Sequence, residues 1–201
     1  MNKALLVIHL LNLSLIGMLP AVFFRKDGRF NLMWWITASP FLVCAISLLA
    51  AFFGHLDPLT GRDSLWASVS EIASAPFAVA SIALMFFTLG THRIPISLWH
   101  QENDAPRHIV TYGAYSRIRH PFYASFLMAL LGALIFLPNP ATLLAFICGL
   151  LILNFTAARE ERLLRASEFG SEYQAYMRRT GRFWPRRPSA PPENGFESAS
   201  R

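Results

Sequence analysis

The chain has 201 residues, 54% of them hydrophobic and only 15% charged. So apolar a composition excludes an ordinary soluble domain of this length and points to a membrane protein with several spans. The net charge of +6 comes from basic residues set beside apolar stretches, which argues against a nucleic-acid partner and for a membrane surface.

In chain order, Ala4–Phe24 predicts a first span of about 20 residues, the length a helix needs to cross the hydrocarbon core. No small-residue cleavage site ends it, so it reads as a retained span and not a signal peptide. Arg25, Lys26 and Arg29 form a basic turn with Asp27 and Gly28. Leu32–Gly54 predicts the second span, with Trp34 and Trp35 as interface anchors. His55–Asp63 is a polar loop with Asp57, Pro58 and Gly61 as turn residues. Trp66–Leu89 predicts the third span. It carries Glu71, either near the interface or buried in the bundle.

His92–Tyr115 is polar, holds Pro95 and Pro106, and predicts an interfacial loop. Pro121–Leu137 is a fourth, short span, and Pro138–Pro140 a tight turn. Ala141–Arg165 is a fifth helix whose apolar part ends near Phe155. The polar remainder ends in a Pro/Ser-rich tail, residues 189–201, expected to be disordered. The fold class is all-α: an integral membrane bundle of about five transmembrane helices with a C-terminal helical hairpin. It divides into N-terminal spans (1–92), a core (93–185) and a tail (186–201). Cys44 and Cys148 sit in apolar segments and imply no disulfide framework, and the six histidines show no metal-ligand spacing.

The chemistry concentrates at Tyr112–Tyr123, Y-G-A-Y-S-R-I-R-H-P-F-Y, directly before the fourth span. Pro121 suits the first position of a helix, because its φ is preset and its missing N–H would be unpaired there. His120 then stands at or just before the N-cap. The free N–H groups of that first turn, with Arg117 and Arg119, make a seat for a carboxylate or phosphate. A three-residue turn makes the last two long helices antiparallel neighbours. Folding about Asn139 brings Arg159, Glu160 and Glu161 level with Arg119 and His120. A ligand with a carboxylate and cationic or hydroxyl groups would suit both halves. Arg159 and Glu161 lie beyond the apolar part of their helix, so the fold is expected to survive changes at either. Each residue also has an ordinary reading. Arg117 and Arg119 serve as snorkelling arginines, His120 as a plain cap, Glu161 and Arg165 as a surface pair, and Tyr115 and Tyr123 as interface aromatics.

G-A-Y-S-R-I-R-H-P-F-Y, then E-E-R-L-L, then F-G-S-E-Y-Q-A-Y-M-R-R-T-G-R-F-W-P resemble the isoprenylcysteine carboxyl methyltransferase family and the related phospholipid methyltransferases. The resemblance covers about Arg107–Pro185. It implies a membrane methyltransferase using S-adenosylmethionine, with a membrane lipid or a lipidated small molecule or protein as methyl acceptor. By motif, cofactor contacts fall on Val110, Thr111, Tyr115, Arg119, His120, Pro121, Phe122 and Tyr123, with Glu161, or else Glu160, as the carboxylate partner of its ammonium or ribose hydroxyls. Arg159 would face the acceptor, and Tyr123 would stand beside the reacting groups. Where the family has His before the G-x-Y, this chain has Arg107 followed by His108. The alternatives are a phospholipid N-methyltransferase, an NADPH-dependent membrane sterol or enone reductase, and a non-enzymatic membrane protein. Relatives of the reductases lack the double Glu.

Sixteen of the eighteen Lys and Arg fall at residues 25–29, 93–119 and from Arg159 onward. By the positive-inside rule those segments, the hairpin mouth and the C-terminus are cytoplasmic. A reporter fused after Pro185 is expected to read cytoplasmic and one in the 55–63 loop external; the reverse pattern overturns this orientation.

Overall fold

The computed structural model describes residues 1–18, 29–61, 63–91 and 109–186. They form α1 (Lys3–Met18), α2 (Leu32–Phe52), α3 (Leu65–Thr91), a 3-10 turn (Gly113–Ser116), α4 (Pro121–Phe136), α5 (Pro140–Ala166) and α6 (Gly170–Arg179). Residues 19–28, Arg62, the 92–108 segment with Arg107 and His108, and the 187–201 tail lie outside the described residues. The architecture is the expected all-α membrane bundle. Among the described residues three helices, α2, α3 and α5, are long and apolar enough to cross a membrane. α1 and α4 are apolar but have 16 residues each. At about 1.5 Å per residue α4 reaches roughly 24 Å, short of the ~30 Å hydrocarbon core.

Short polar side chains set the helix starts. Asn2 Oδ1 accepts from the N–H groups of Ala4 and Leu5, and Ser64 Oγ accepts from Ala67. Asn139 Oδ1 accepts from Ala141, while the Asn139 N–H donates to the Thr142 hydroxyl, a reciprocal cap. The turn expected at Pro138–Pro140 falls at Leu137–Asn139, and it leaves α4 and α5 side by side.

α4 is the hub, packing against α1, α2, α3 and α5. Small buried residues on it, Ala124, Ser125, Ala129, Gly132 and Ala133, let its neighbours approach closely. Ser81 of α3 donates 2.8 Å to the Ser125 carbonyl. A Cβ on Gly132 would lie 3.0 Å from His9 Cε1 and 3.3 Å from Phe77 Cβ. Glu71 is neither a free interface residue nor wholly buried. Its side chain is 17% exposed and accepts from the Asn2 N–H at 2.7 Å.

The two ends of the bundle are tied separately. The Leu59 N–H donates to the Pro138 carbonyl and the Asn139 side chain to the Asp57 carbonyl, both at 2.8 Å, joining the α2–α3 loop to the α4–α5 turn. At the other end the 3-10 turn packs under α3. Gly113 has φ +59°, and a Cβ there would collide with the Thr91 hydroxyl. This turn aims the chain into α4.

Gly132→Leu is expected to overpack the α1–α3–α4 junction and cost at least about 1–3 kcal/mol. A fall in the thermal midpoint in detergent checks it; an unchanged midpoint would mean the junction is not close-packed.

Candidate functional site

Two extended segments far apart in sequence run side by side at the start of α4. Ile118 and Gly181 form a parallel bridge. The Gly181 N–H donates to the Arg117 carbonyl at 3.3 Å, Arg119 N–H to the Gly181 carbonyl at 2.9 Å, and His120 N–H to the Arg182 carbonyl at 3.1 Å. Any Cβ at Gly181 would strike the Trp184 carbonyl, so the close approach demands glycine. α6 holds the arrangement from below: Tyr176 donates its hydroxyl to the Tyr115 carbonyl at 2.6 Å. Burial above all pushes the Tyr176 phenol up to about 12, so it keeps the proton it donates.

Glu161 lies at the centre, 2% exposed. Arg119 Nε donates to its Oε1 at 2.9 Å. Arg182 forks across both oxygens, Nε to Oε1 at 3.1 Å and Nη2 to Oε2 at 2.5 Å. Arg182 Nη1 also donates to Asn154 Oδ1 at 2.7 Å. Arg119 Nη1 donates to the Thr180 carbonyl at 2.5 Å. One buried carboxylate thus meets two guanidinium groups, the strong bidentate geometry among them.

Glu160, one residue earlier, is open: its side chain is 44% exposed. Tyr123 donates its hydroxyl to Glu160 Oε1 at 2.6 Å. His120 sits between the two carboxylates, with Nδ1 3.4 Å from Glu160 Oε2 and Nε2 3.4 Å from Glu161 Oε1. Both contacts have ion-pair distance without hydrogen-bond geometry, and Nε2 is buried without another partner. The His120 ring stacks on Tyr123 at 5.3 Å, with planes 5° apart, and meets the edge of Phe183. Burial opposes protonation of His120, but the two carboxylates outweigh it and raise its pKa above the usual 6.5. Tyr115 has its phenol pushed up by burial, then by Tyr176 and Glu160.

The sequence-predicted residues therefore separate. Arg119, His120, Tyr123, Glu160 and Glu161 come together, with Tyr115 beside Glu160. The hairpin register brings 119 and 120 to the level of 160 and 161. Pro121 and Phe122 are buried in the core, the Phe122 ring 6.3 Å from Phe126. Val110 and Thr111 are half-buried upstream, and no hydrogen bond joins them to the cluster. Arg119, expected to face an anion, is 9% exposed and spends its donors inside the protein. Arg159 is exposed. At about 100° per residue it lies nearly opposite Glu161 on α5 and about a quarter-turn from Glu160. Glu161, expected on a polar helix end, is instead buried between two arginines.

Sequence reasoning missed Arg182, Asn154 and Phe183. The one available signal was Gly181, an isolated glycine in an otherwise bulky stretch, which marks close backbone approach.

Fold and cluster together define a membrane-embedded helical bundle with a charged, aromatic mouth at the end of its last long hairpin. Two proteins from rice, Oryza sativa subsp. indica and subsp. japonica, each named probable protein-S-isoprenylcysteine O-methyltransferase, are 31% identical to this chain over 76% of its length and 80% of theirs. The chain belongs to the protein-S-isoprenylcysteine O-methyltransferase family. No protein-family model and no solved structure matches it.

The two glutamates should differ in stability experiments. Glu161→Gln removes the only carboxylate between Arg119 and Arg182 and is expected to cost about 3–5 kcal/mol, the usual penalty for breaking a buried ion pair from one side. Glu160→Gln, at a half-open position, is expected to cost about 0–1 kcal/mol. Thermal unfolding of both variants in one detergent measures the difference; equal midpoints would refute the assignment of Glu161 as the structural member.

Proposed function

We propose that the chain is an S-adenosylmethionine-dependent methyltransferase that esterifies the carboxylate of an isoprenylated cysteine, at the mouth formed by α4, α5 and the 180–186 segment. Family membership supports the reaction class. The observation that carries the site is the openness of Glu160. It is the one carboxylate of the cluster not consumed by arginine, and it accepts from the Tyr123 hydroxyl.

This donor set fits the cofactor's cationic portion. Glu160 would take its ammonium or ribose hydroxyls, with the hydrogen bond from Tyr123 fixing the carboxylate. The faces of Tyr115 and Tyr123 favour a nearby sulfonium cation. When bound, the cofactor supplies an activated methyl group. A carboxylate acceptor is already nucleophilic at neutral pH, so no residue of the chain needs to serve as general base. The protein's contribution is orientation and exclusion of water. His120, whose protonated form Glu160 and Glu161 favour, offsets the negative charge of the mouth toward an anionic acceptor. The acceptor's lipid tail would stay in the bilayer and its carboxylate would enter from the side, with the mouth cytoplasmic. Arg159, on the outer side of α5, has no part in this reading.

The test is purified protein with labelled S-adenosylmethionine, offered a prenylcysteine analogue beside a lipid extract. Label is expected on the analogue, released by alkali as an ester would be. Label on a lipid amine instead would replace this reading with the phospholipid one. Glu160→Gln is expected to weaken cofactor binding about 10- to 150-fold, the worth of one charge-assisted hydrogen bond, while melting near the parent. Parent-like binding would remove Glu160 from the site.

A further inference from the structure

The cluster has an imbalance that the proposed chemistry leaves unused. His120 has one carboxylate on each side at the same 3.4 Å, yet the two sides are not equivalent. On the Glu160 side the carboxylate is open and takes a hydrogen bond from Tyr123. On the Glu161 side, Oε1 already accepts from Arg119 and Arg182, and Oε2 accepts from Arg182. Glu161 Oε1, the oxygen 3.4 Å from His120 Nε2, thus already accepts twice, and Nε2 is buried without a hydrogen bond. Without the Arg182 fork, Oε2 would lose the donor that holds it and the carboxylate could turn toward the imidazole. A His120 drawn to Glu161 would leave its parallel stack on Tyr123.

We propose that Arg182 is a positioning residue: by occupying both oxygens of Glu161 it denies that carboxylate to His120, and so keeps His120 stacked on Tyr123 and facing Glu160. Arg182 arrives on the 180–182 segment, which the parallel bridge and Gly181 lock against the start of α4. Asn154 holds the third guanidinium nitrogen and so fixes the fork's angle. The C-terminal segment thereby sets the charge state and aim of a histidine at the far end of the α4–α5 hairpin mouth, without itself touching a ligand. The inference rests on the methyltransferase reading only for its catalytic consequence; its structural content stands apart.

The titratable and charged groups around His120 are Glu160 and Glu161 from α5, Tyr123 from α4, Arg119 before it, and Arg182 from the C-terminal segment. Tyr115 lies beside Glu160 and Tyr173 beside Glu161. Loss of the positive charge of Arg182 would by itself raise the His120 pKa, so charge-removing variants alone do not separate the two causes. Variants that keep the charge do. Arg182→Lys retains the cation but lacks the fork, and Asn154→Ala retains every charge while loosening the fork.

The experiment follows the His120 ring by NMR in detergent, its resonances assigned by their loss in His120→Gln, with no cofactor present. The parent is expected to titrate above the ordinary 6.5 with a ring-current shift from Tyr123. Arg182→Gln and Arg182→Lys are both expected to move the midpoint upward by about one pH unit and to lose the ring-current shift, as a newly available carboxylate would cause. Asn154→Ala is expected to move both in the same direction by less. A parent-like midpoint and ring-current shift in Arg182→Lys and Asn154→Ala would overturn the proposal, leaving Arg182 a mere counter-charge. If Arg182→Gln does not fold, the two charge-retaining variants carry the decision. In turnover, Arg182→Lys is expected to raise the KM for S-adenosylmethionine several-fold with kcat less affected. A parent protein that binds no S-adenosylmethionine would refute the methyltransferase reading while leaving the titration result intact.

Discussion

A buried carboxylate dictates how this protein is assembled at one end. Glu161 is almost fully withdrawn from solvent, and an ionised carboxylate in that position is tolerable only with close cationic partners. Those partners come from two separate stretches, Arg119 ahead of α4 and Arg182 beyond α6. Satisfying one side chain on α5 therefore requires the loop before α4, the end of α5 and the C-terminal segment to meet. The parallel bridge between Ile118 and Gly181 is the backbone expression of the same demand.

The membrane body makes that meeting possible. α4 is short and surrounded, and its small residues let α1 and α3 approach closely. A three-residue turn leaves α5 no freedom to wander from it. Because α5 has 27 residues against the 16 of α4, its end projects past the apolar layer and carries Glu160 and Glu161 to the level of His120. The difference in length between two neighbouring helices thus creates a charged mouth at the edge of an apolar bundle.

Adjacent glutamates then take different roles by helix geometry alone. Successive residues point about 100° apart, so one carboxylate turns into the packed junction with α6 and the C-terminal segment while the other faces the opening. The inner one is neutralised by arginine and shapes the site. The outer one, steadied by Tyr123, remains available to a cation. His120 lies between them and registers the balance.

Much of this was legible in the amino-acid sequence. Apolar runs of crossing length, Pro121 at a helix start and the Pro-Asn-Pro turn announced the helices and their hairpin, because these signals are local. Pro121 and the double Glu located the mouth, since a fixed rise per residue and a short turn suffice to bring 119–120 beside 160–161. The tertiary structure alone decided which glutamate is buried, that Arg119 is consumed internally, that Arg159 faces away, and that Arg182 completes the cluster. A side chain's facing on a polar helix end carries no hydrophobic period to read. A parallel pairing between segments some sixty residues apart leaves no mark in either one except a glycine where two backbones come too close for a Cβ.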